Sequence, residues 1–283
     1  MKAHWQSVAI VGVGLIGGSI GKAIKARRLA DRIVGVSRSA ASADDARRSG
    51  AVTAAGTDLA AAVATADLVV VAAGVAAIPD LLEEIDAAVE PGTLIVDAGS
   101  TKTRIVSAWE RQRRSRRGRF VGGHPLAGSH RRGPDAADGN LFAGRIAIVT
   151  PATRTPPGDV ADAGGFWAAL GATVFVMSPK EHDRILAVTS HAPHMIAAAV
   201  AAATPPALRR FTAGGWRDAT RIAAGDPELW ADIILDNPGN VADALRRVAG
   251  ETEKMLAAIE AGDRRRLVAV LRRGKEARDA VGS

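Results

Sequence analysis

A short apolar run at residues 8–11 gives way at Gly12 to GVGLIGGS, and a helix-like segment follows to about Arg28. Gly12, Gly14 and Gly17 stand in G-x-G-x-x-G spacing. Between a strand and a helix, that spacing admits few folds other than a dinucleotide-binding one. Gly12 allows the tight turn, Gly14 lets the backbone approach a pyrophosphate, and Gly17 lets the helix pack closely. The helix N-terminus then offers unpaired N–H groups and a partial positive charge to the phosphates. Leu15 and Ile16 inside the turn, and Ala73 and Gly74 after a later strand, complete the expected cofactor contacts.

Further apolar runs lie at 33–36, 67–73 (DLVVVAA), 93–97 (TLIVD), 119–122, 145–150 and 172–177. They do not alternate polar with apolar residues, as expected for parallel strands covered on both faces. Strand–helix alternation predicts an α/β fold, a Rossmann doubly wound parallel sheet over residues 1–178. Beyond that point no strand is expected. Ala-rich amphipathic stretches predict an all-helical domain over residues 179–283, with the boundary near Ser178 and helices at 179–203, 205–211, 218–224, 227–235, 241–261 and 263–281. So many apolar helix faces predict a homodimer through this half.

The chain has no cysteine, which excludes disulfides and thiolate chemistry. It shows no signal peptide and no apolar run of the ~18 residues a membrane helix needs, so a cytoplasmic protein with no membrane partner is expected. The net charge is +7, and six arginines fall within RQRRSRRGR at 111–119. Without an aromatic residue inside that run for base stacking, it reads as a solvated helix end and loop, and no nucleic acid is expected.

Where a NAD site usually carries an acid at the end of the second strand, this chain has Ser37, Arg38 and Ser39. That cluster can bind a 2′-phosphate, so NADP is expected over NAD, with NAD possible.

Four stretches carry the chemistry: DAGSTK (97–102), GGHPLAGS (122–129), TSHAPH (189–194) and FTAGGWRDATRIAAGDPELW (211–230). Ser100 falls at the carboxyl edge of the sheet, where ligands bind; it could also cap a helix starting near Thr101. His124, neutral at pH 7, can accept a proton. Asp218 and Arg221 are spaced i, i+3, so they face each other on a helix, as a surface ion pair or as a ligand and its support. His191 and His194 share a helix face, with Pro193 disturbing the turn between them; a buried structural role for His191 is as good as any other. His182 is twelve residues before His194, which on a straight helix is ~18 Å and about a third of a turn away. No acidic ligand at suitable spacing joins these histidines, so no metal is expected.

In these ordered motifs the sequence resembles the prephenate/arogenate dehydrogenases of tyrosine biosynthesis, over nearly the whole chain. The resemblance implies a Rossmann domain followed by a helical dimerisation domain. It implies oxidative decarboxylation of a small cyclohexadienyl substrate, prephenate or arogenate, with hydride transfer to NADP. By that resemblance His124 accepts the C4-hydroxyl proton, Ser100 orients the histidine and hydroxyl, and Arg221 holds a substrate carboxylate with Asp218 orienting it. His194 contacts substrate, and His182 matches a position near the active site. His130, with Arg131 and Arg132, stands where the family often has an acid; a histidine there favours a carboxylate or carbonyl over an amino group, and so prephenate. No regulatory domain is expected after residue 281 and no mutase domain before Val8. Alternatives are a dehydrogenase for an amino analogue of prephenate, a β-hydroxyacid or imine reductase, and a non-enzymatic NADP sensor. A β-hydroxyacid enzyme would want a lysine on the long helix, where Lys180 comes too early.

Overall fold

The computed structural model describes residues 4–111, 116–128 and 131–282. The first part of the chain alternates β1 (Trp5–Val11), α1 (Leu15–Ala26), β2 (Ala30–Val36), α2 (Ala40–Arg48), β3 (Ala54–Gly56), α3 (Leu59–Val63), β4 (Leu68–Val71), α4 (Ile78–Ala88), β5 (Leu94–Asp97), α5 (Thr103–Arg111) and β6 (Arg119–Pro125). Then come β7 (Ile146–Thr150), α6 (Pro157–Ala169) and β8 (Thr173–Val176). All eight strands join one sheet in the order β3-β2-β1-β4-β5-β6-β7-β8.

The strands are apolar throughout because both faces are covered. Val8 and Ile10 pack on one side with Leu68, Val70, Phe166 and Trp167. Their neighbours Ala9 and Val11 pack on the other with Val69, Val71, Ile78 and Trp109. A period of two residues thus separates two cores without leaving a polar face.

The sheet departs from the all-parallel expectation. Strands β1 to β6 are parallel, but β7 pairs antiparallel with β6. The chain leaves β6 and enters β7 at the same edge of the sheet, and the described residues between them hold no crossover helix, so β7 runs back. This connection lies on α1: Lys22 Nζ donates to the Ala137 carbonyl (3.0 Å) and Arg27 Nη1 to that of Gly139 (2.9 Å). Strand β3, only three residues long, carries no apolar run that a sequence pattern could register. Arg116, Arg117 and Arg119 of the basic run are engaged internally. Arg116 lies over the Trp109 ring, Arg117 donates to the Val89 carbonyl, and Arg119 pairs with Asp159 and Asp162.

From Pro179 onward the described residues form helices and turns alone. These are α7 (Pro179–Leu186), a π turn (Ala187–His191), α8 (Ala192–Ala203), α9 (Gly214–Thr220), α10 (Pro227–Asp236), α11 (Pro238–Glu260) and α12 (Arg264–Asp279). Short 3₁₀ turns occupy Pro206–Phe211 and Arg221–Ala224. One expectation is corrected. The continuous helical segment Pro179–Ala203 is long and apolar enough, by length and composition, to cross a membrane. Its apolar excess is mostly alanine, and its first turns are buried against the sheet domain through His182 and Asp183.

Candidate active site

In the strand order 3-2-1-4-5-6 the carboxyl ends of β1, β4, β5 and β6 lie side by side. The glycine turn, Ala73–Gly74, the DAGSTK loop and His124 therefore share one edge of the sheet. Gly12 has φ +92°, and a Cβ there would come within 2.5 Å of the Ala72 carbonyl oxygen. A Cβ on Gly17 would lie 2.0 Å from the Gly12 carbonyl oxygen, so α1 packs directly on the turn. Around Gly14 and Gly74 there is open space within 4 Å, and the first turn of α1 holds no acid. A cradle of this kind, capped by unpaired helix N–H groups, suits a dinucleotide pyrophosphate. At the end of β2, Ser39 caps α2 by accepting from Ser42 N (3.2 Å), and Arg38 is exposed.

The DAGSTK loop is tied down by a buried charge pair. Asp97 and Lys102 are both fully enclosed and bonded to one another. Lys102 Nζ also donates to the Gly123 carbonyl (2.9 Å), while Asp97 accepts from Gly99 N and Gly123 N, each at 2.9 Å. Burial lowers the Lys102 pKa, and Asp97 opposes that shift. The pair thereby joins the end of β5 to the residue preceding His124. Ser100 is half-buried at this edge. It does not cap α5, which starts at Thr103. The first N–H groups of that helix, from Lys102 and Thr103, instead donate to Asp183 of α7, each at 2.8 Å. Thr101 Oγ1 donates to Asp236 (2.6 Å), whose other oxygen pairs with Arg104.

His124 lies within β6, opposite Ile148 of β7, rather than in a loop after the strand. Its Nδ1 is 2.8 Å from Nε2 of His182, and His182 Nδ1 is 2.8 Å from Asp183 Oδ1. Burial, reinforced by His182, Lys102 and His191, holds the His124 pKa well below its ordinary 6.5. Burial also lowers His182, against the opposing pull of Asp183. Asp183 stays below its usual range: burial would raise it, but hydrogen bonds from His182, Thr103 and Lys102 outweigh that.

The π turn that follows α7 sets how the later histidines sit relative to His182. On a continuous α-helix His194 would sit about 120° around from His182, at about 100° per residue. A π turn accommodates one extra residue and brings that angle to about 20°. Pro193 lacks the N–H that would bond the Thr189 carbonyl, so the regular ladder is interrupted here in any case. The three histidines 182, 191 and 194 consequently form a row. His191 is pushed down to about 4, chiefly by burial. His194 stacks on Trp230, with ring centroids 3.6 Å apart, and Gly225 closes over both: a Cβ there would come within 2.5 Å of Trp230 Nε1 and 3.0 Å of His194 Cε1.

Asp218 and Arg221 lie one turn apart, the Arg221 N–H donating to the Asp218 carbonyl at the end of α9. The α-helix ends at Thr220, and Arg221 begins the 3₁₀ turn that packs on α8. Both side chains are exposed, and no ion pair joins them among the described residues. His130 lies outside the described residues. Nearby, Arg132 of the loop after β6 pairs with Asp226, the N-cap of α10, at 2.5 Å. Sequence reasoning missed Lys102, Asp183, Asp236 and Trp230. Of these only Asp183, adjacent to His182, carried a usable signal: a carboxylate beside a histidine can hold its ring.

Comparison with known proteins gives a consistent result. The family model described as prephenate dehydrogenase, nucleotide-binding domain, matches residues 20–176; that described as prephenate dehydrogenase, dimerization domain, matches residues 178–273. A prephenate dehydrogenase of Bacillus subtilis is 35% identical over 288 residues, covering 99% of this chain and 77% of that protein. A cyclohexadienyl dehydrogenase of Zymomonas mobilis is 32% identical, covering 98% of this chain and 96% of that one. A crystal structure of prephenate dehydrogenase from A. aeolicus in complex with hydroxyphenyl propionate and NAD+ superposes with a TM-score of 0.89 at 29% identity, covering 98% of each chain.

Proposed function

The chain belongs to the prephenate dehydrogenase family, and from that premise we propose that it catalyses the oxidative decarboxylation of prephenate with His124 as the base. The observation that carries this reading is a neutral, buried histidine at the carboxyl edge of the sheet, on the same edge as the glycine turn. His124 takes the C4-hydroxyl proton as the ring carbon is oxidised. The nicotinamide, when bound, supplies the hydride acceptor. Loss of the ring carboxylate as carbon dioxide leaves its electron pair in the now aromatic ring, and the C4 oxygen recovers its proton. Ser100 is suited to hold the hydroxyl, His194 on its Trp230 platform to contact the ring or its carboxylate, and Arg221 to bind the side-chain carboxylate. Parallel assays of prephenate and arogenate, each with NADP and NAD, test the substrate. Turnover of arogenate alone would overturn it.

In this reading residues 1–178 hold the cofactor through Gly12, Gly14, Leu15, Ile16, Gly17, Ala73 and Gly74, in the cytoplasm. NADP is preferred. Arg38 is exposed just before α2 with Ser37 and Ser39 next to it, an arrangement suited to a 2′-phosphate. Arg38→Ala should raise KM for NADP roughly 10- to 100-fold, the worth of a hydrogen bond to a charged group, and leave that for NAD nearly unchanged. Equal kcat/KM for the two cofactors in the unmodified enzyme would rule the preference out.

Residues 179–283 form the dimer contact. Phe211, Leu235, Leu256, Ile259 and Leu271 of this half are exposed in the single chain, apolar side chains that a second copy would cover. Light scattering behind size exclusion should give twice the chain mass at micromolar concentration, whereas a monomer would refute the assembly.

A further inference from the structure

We propose that Asp183 and His182 are positioning residues that hold His124 as its Nδ1–H tautomer and leave Nε2 bare toward the substrate hydroxyl. The proposal rests on the reading of His124 as the base.

The assignment follows from donor and acceptor chemistry. An ionised carboxylate can only accept, so the 2.8 Å contact between His182 Nδ1 and Asp183 Oδ1 requires a proton on that nitrogen. A neutral His182 then has no proton on Nε2. The 2.8 Å contact from His182 Nε2 to His124 Nδ1 must therefore be donated by His124. Neutral His124 has one ring proton, and it is spent on this bond. Nε2 is left with its lone pair, the state a base needs. His182 is fully buried and both its ring nitrogens are engaged, so it has no polar atom with which to meet a ligand. His182, which the resemblance places near the active site, takes a supporting role in this arrangement.

Asp183 is itself held. The Lys102 and Thr103 N–H groups donate to its two oxygens, fixing the carboxylate plane. When the hydroxyl O–H bond breaks and its proton passes to Nε2, His124 becomes an imidazolium still donating through Nδ1. The Asp183 charge then acts on it through His182. The other groups facing His124 are Lys102, whose charge is matched by Asp97, and His191, which burial keeps neutral.

Asparagine at 183 disturbs this arrangement. If its amide nitrogen turns toward His182, that ring accepts at Nδ1 and donates at Nε2, and His124 must carry its proton on the wrong nitrogen.

The test is long-range proton–nitrogen NMR of the free enzyme with labelled histidine, assigned with the His124→Asn variant. Both His124 and His182 should be Nδ1–H in the unmodified protein. In Asp183→Asn, His124 should move to the Nε2–H form and kcat fall about 10³-fold, with cofactor Kd unchanged. An Nε2–H signal for His124 in the unmodified protein overturns the proposal. So does an Asp183→Asn enzyme whose His124 moves to the Nε2–H form with kcat unchanged. The first spectrum decides the matter even if that variant does not fold. The base reading fails separately, through the activity of His124→Asn.

Discussion

Replacing His124 with asparagine is expected to lower kcat by about 10³-fold while cofactor affinity stays within a factor of two or three. General-base catalysis by a positioned group contributes ~10²–10⁴ in rate, and asparagine keeps a similar volume but cannot take a proton. A loss under tenfold would remove His124 from the chemistry. Normal cofactor binding alongside a large loss of kcat would exclude a protein that only senses NADP. The pH profile carries a second check. Burial disfavours the His124 imidazolium, with His182, Lys102 and His191 acting in the same direction. The basic form therefore persists as pH falls through 6.5, and the acid limb of kcat/KM should lie below that value. Stability has its own sign. In the unfolded chain these histidines protonate near 6.5, whereas His124, His182, His191 and His194 are lowered in the folded one. The unfolded state thus binds more protons in this window, and folding should weaken as pH drops below about 6.5; the share due to His191 is complete near 4.

Lys102→Met should destabilise the fold by about 3–5 kcal/mol, the usual cost of removing one partner from a buried charge pair. Asp97 would keep its bonds from Gly99 N and Gly123 N but would remain a fully enclosed carboxylate without its cation. Urea unfolding reads the effect as a lower midpoint at unchanged slope. Adding Asp97→Asn should recover much of the loss, because the uncompensated charge is what costs the energy. A single-variant change under about 1 kcal/mol would mean that the enclosed pair contributes little. Activity should fall along with stability, since Lys102 Nζ holds the Gly123 carbonyl next to the base.

Much of this architecture was legible from local pattern. The glycine turn, the doubly covered apolar strands and the start of a helical half after Met177 are all short-range properties of the chain. Gly12 and Gly17 could be read because backbone close to backbone leaves no room for a side chain, whatever surrounds it. Strand β3 escaped because pairing with β2 defines it, not its own residues. The reversed β7 escaped because direction depends on the path of residues 126–145, which no periodicity encodes.

The candidate site divides along the same line. By itself the sequence determined which residue types were available: a histidine after a glycine pair, a serine at the end of a strand, more histidines on a later helix. Only the tertiary structure decided which of them meet. A one-residue π insertion rotates the later histidines onto one face, and Asp183, eighty-odd residues beyond Lys102, receives the first N–H groups of α5. It also leaves Asp218 and Arg221, bonded to each other only through the backbone at the end of α9, without a side-chain ion pair among the described residues. Residue identity is local, whereas the partner of each ring nitrogen and carboxylate oxygen is set by how the two halves of the chain pack.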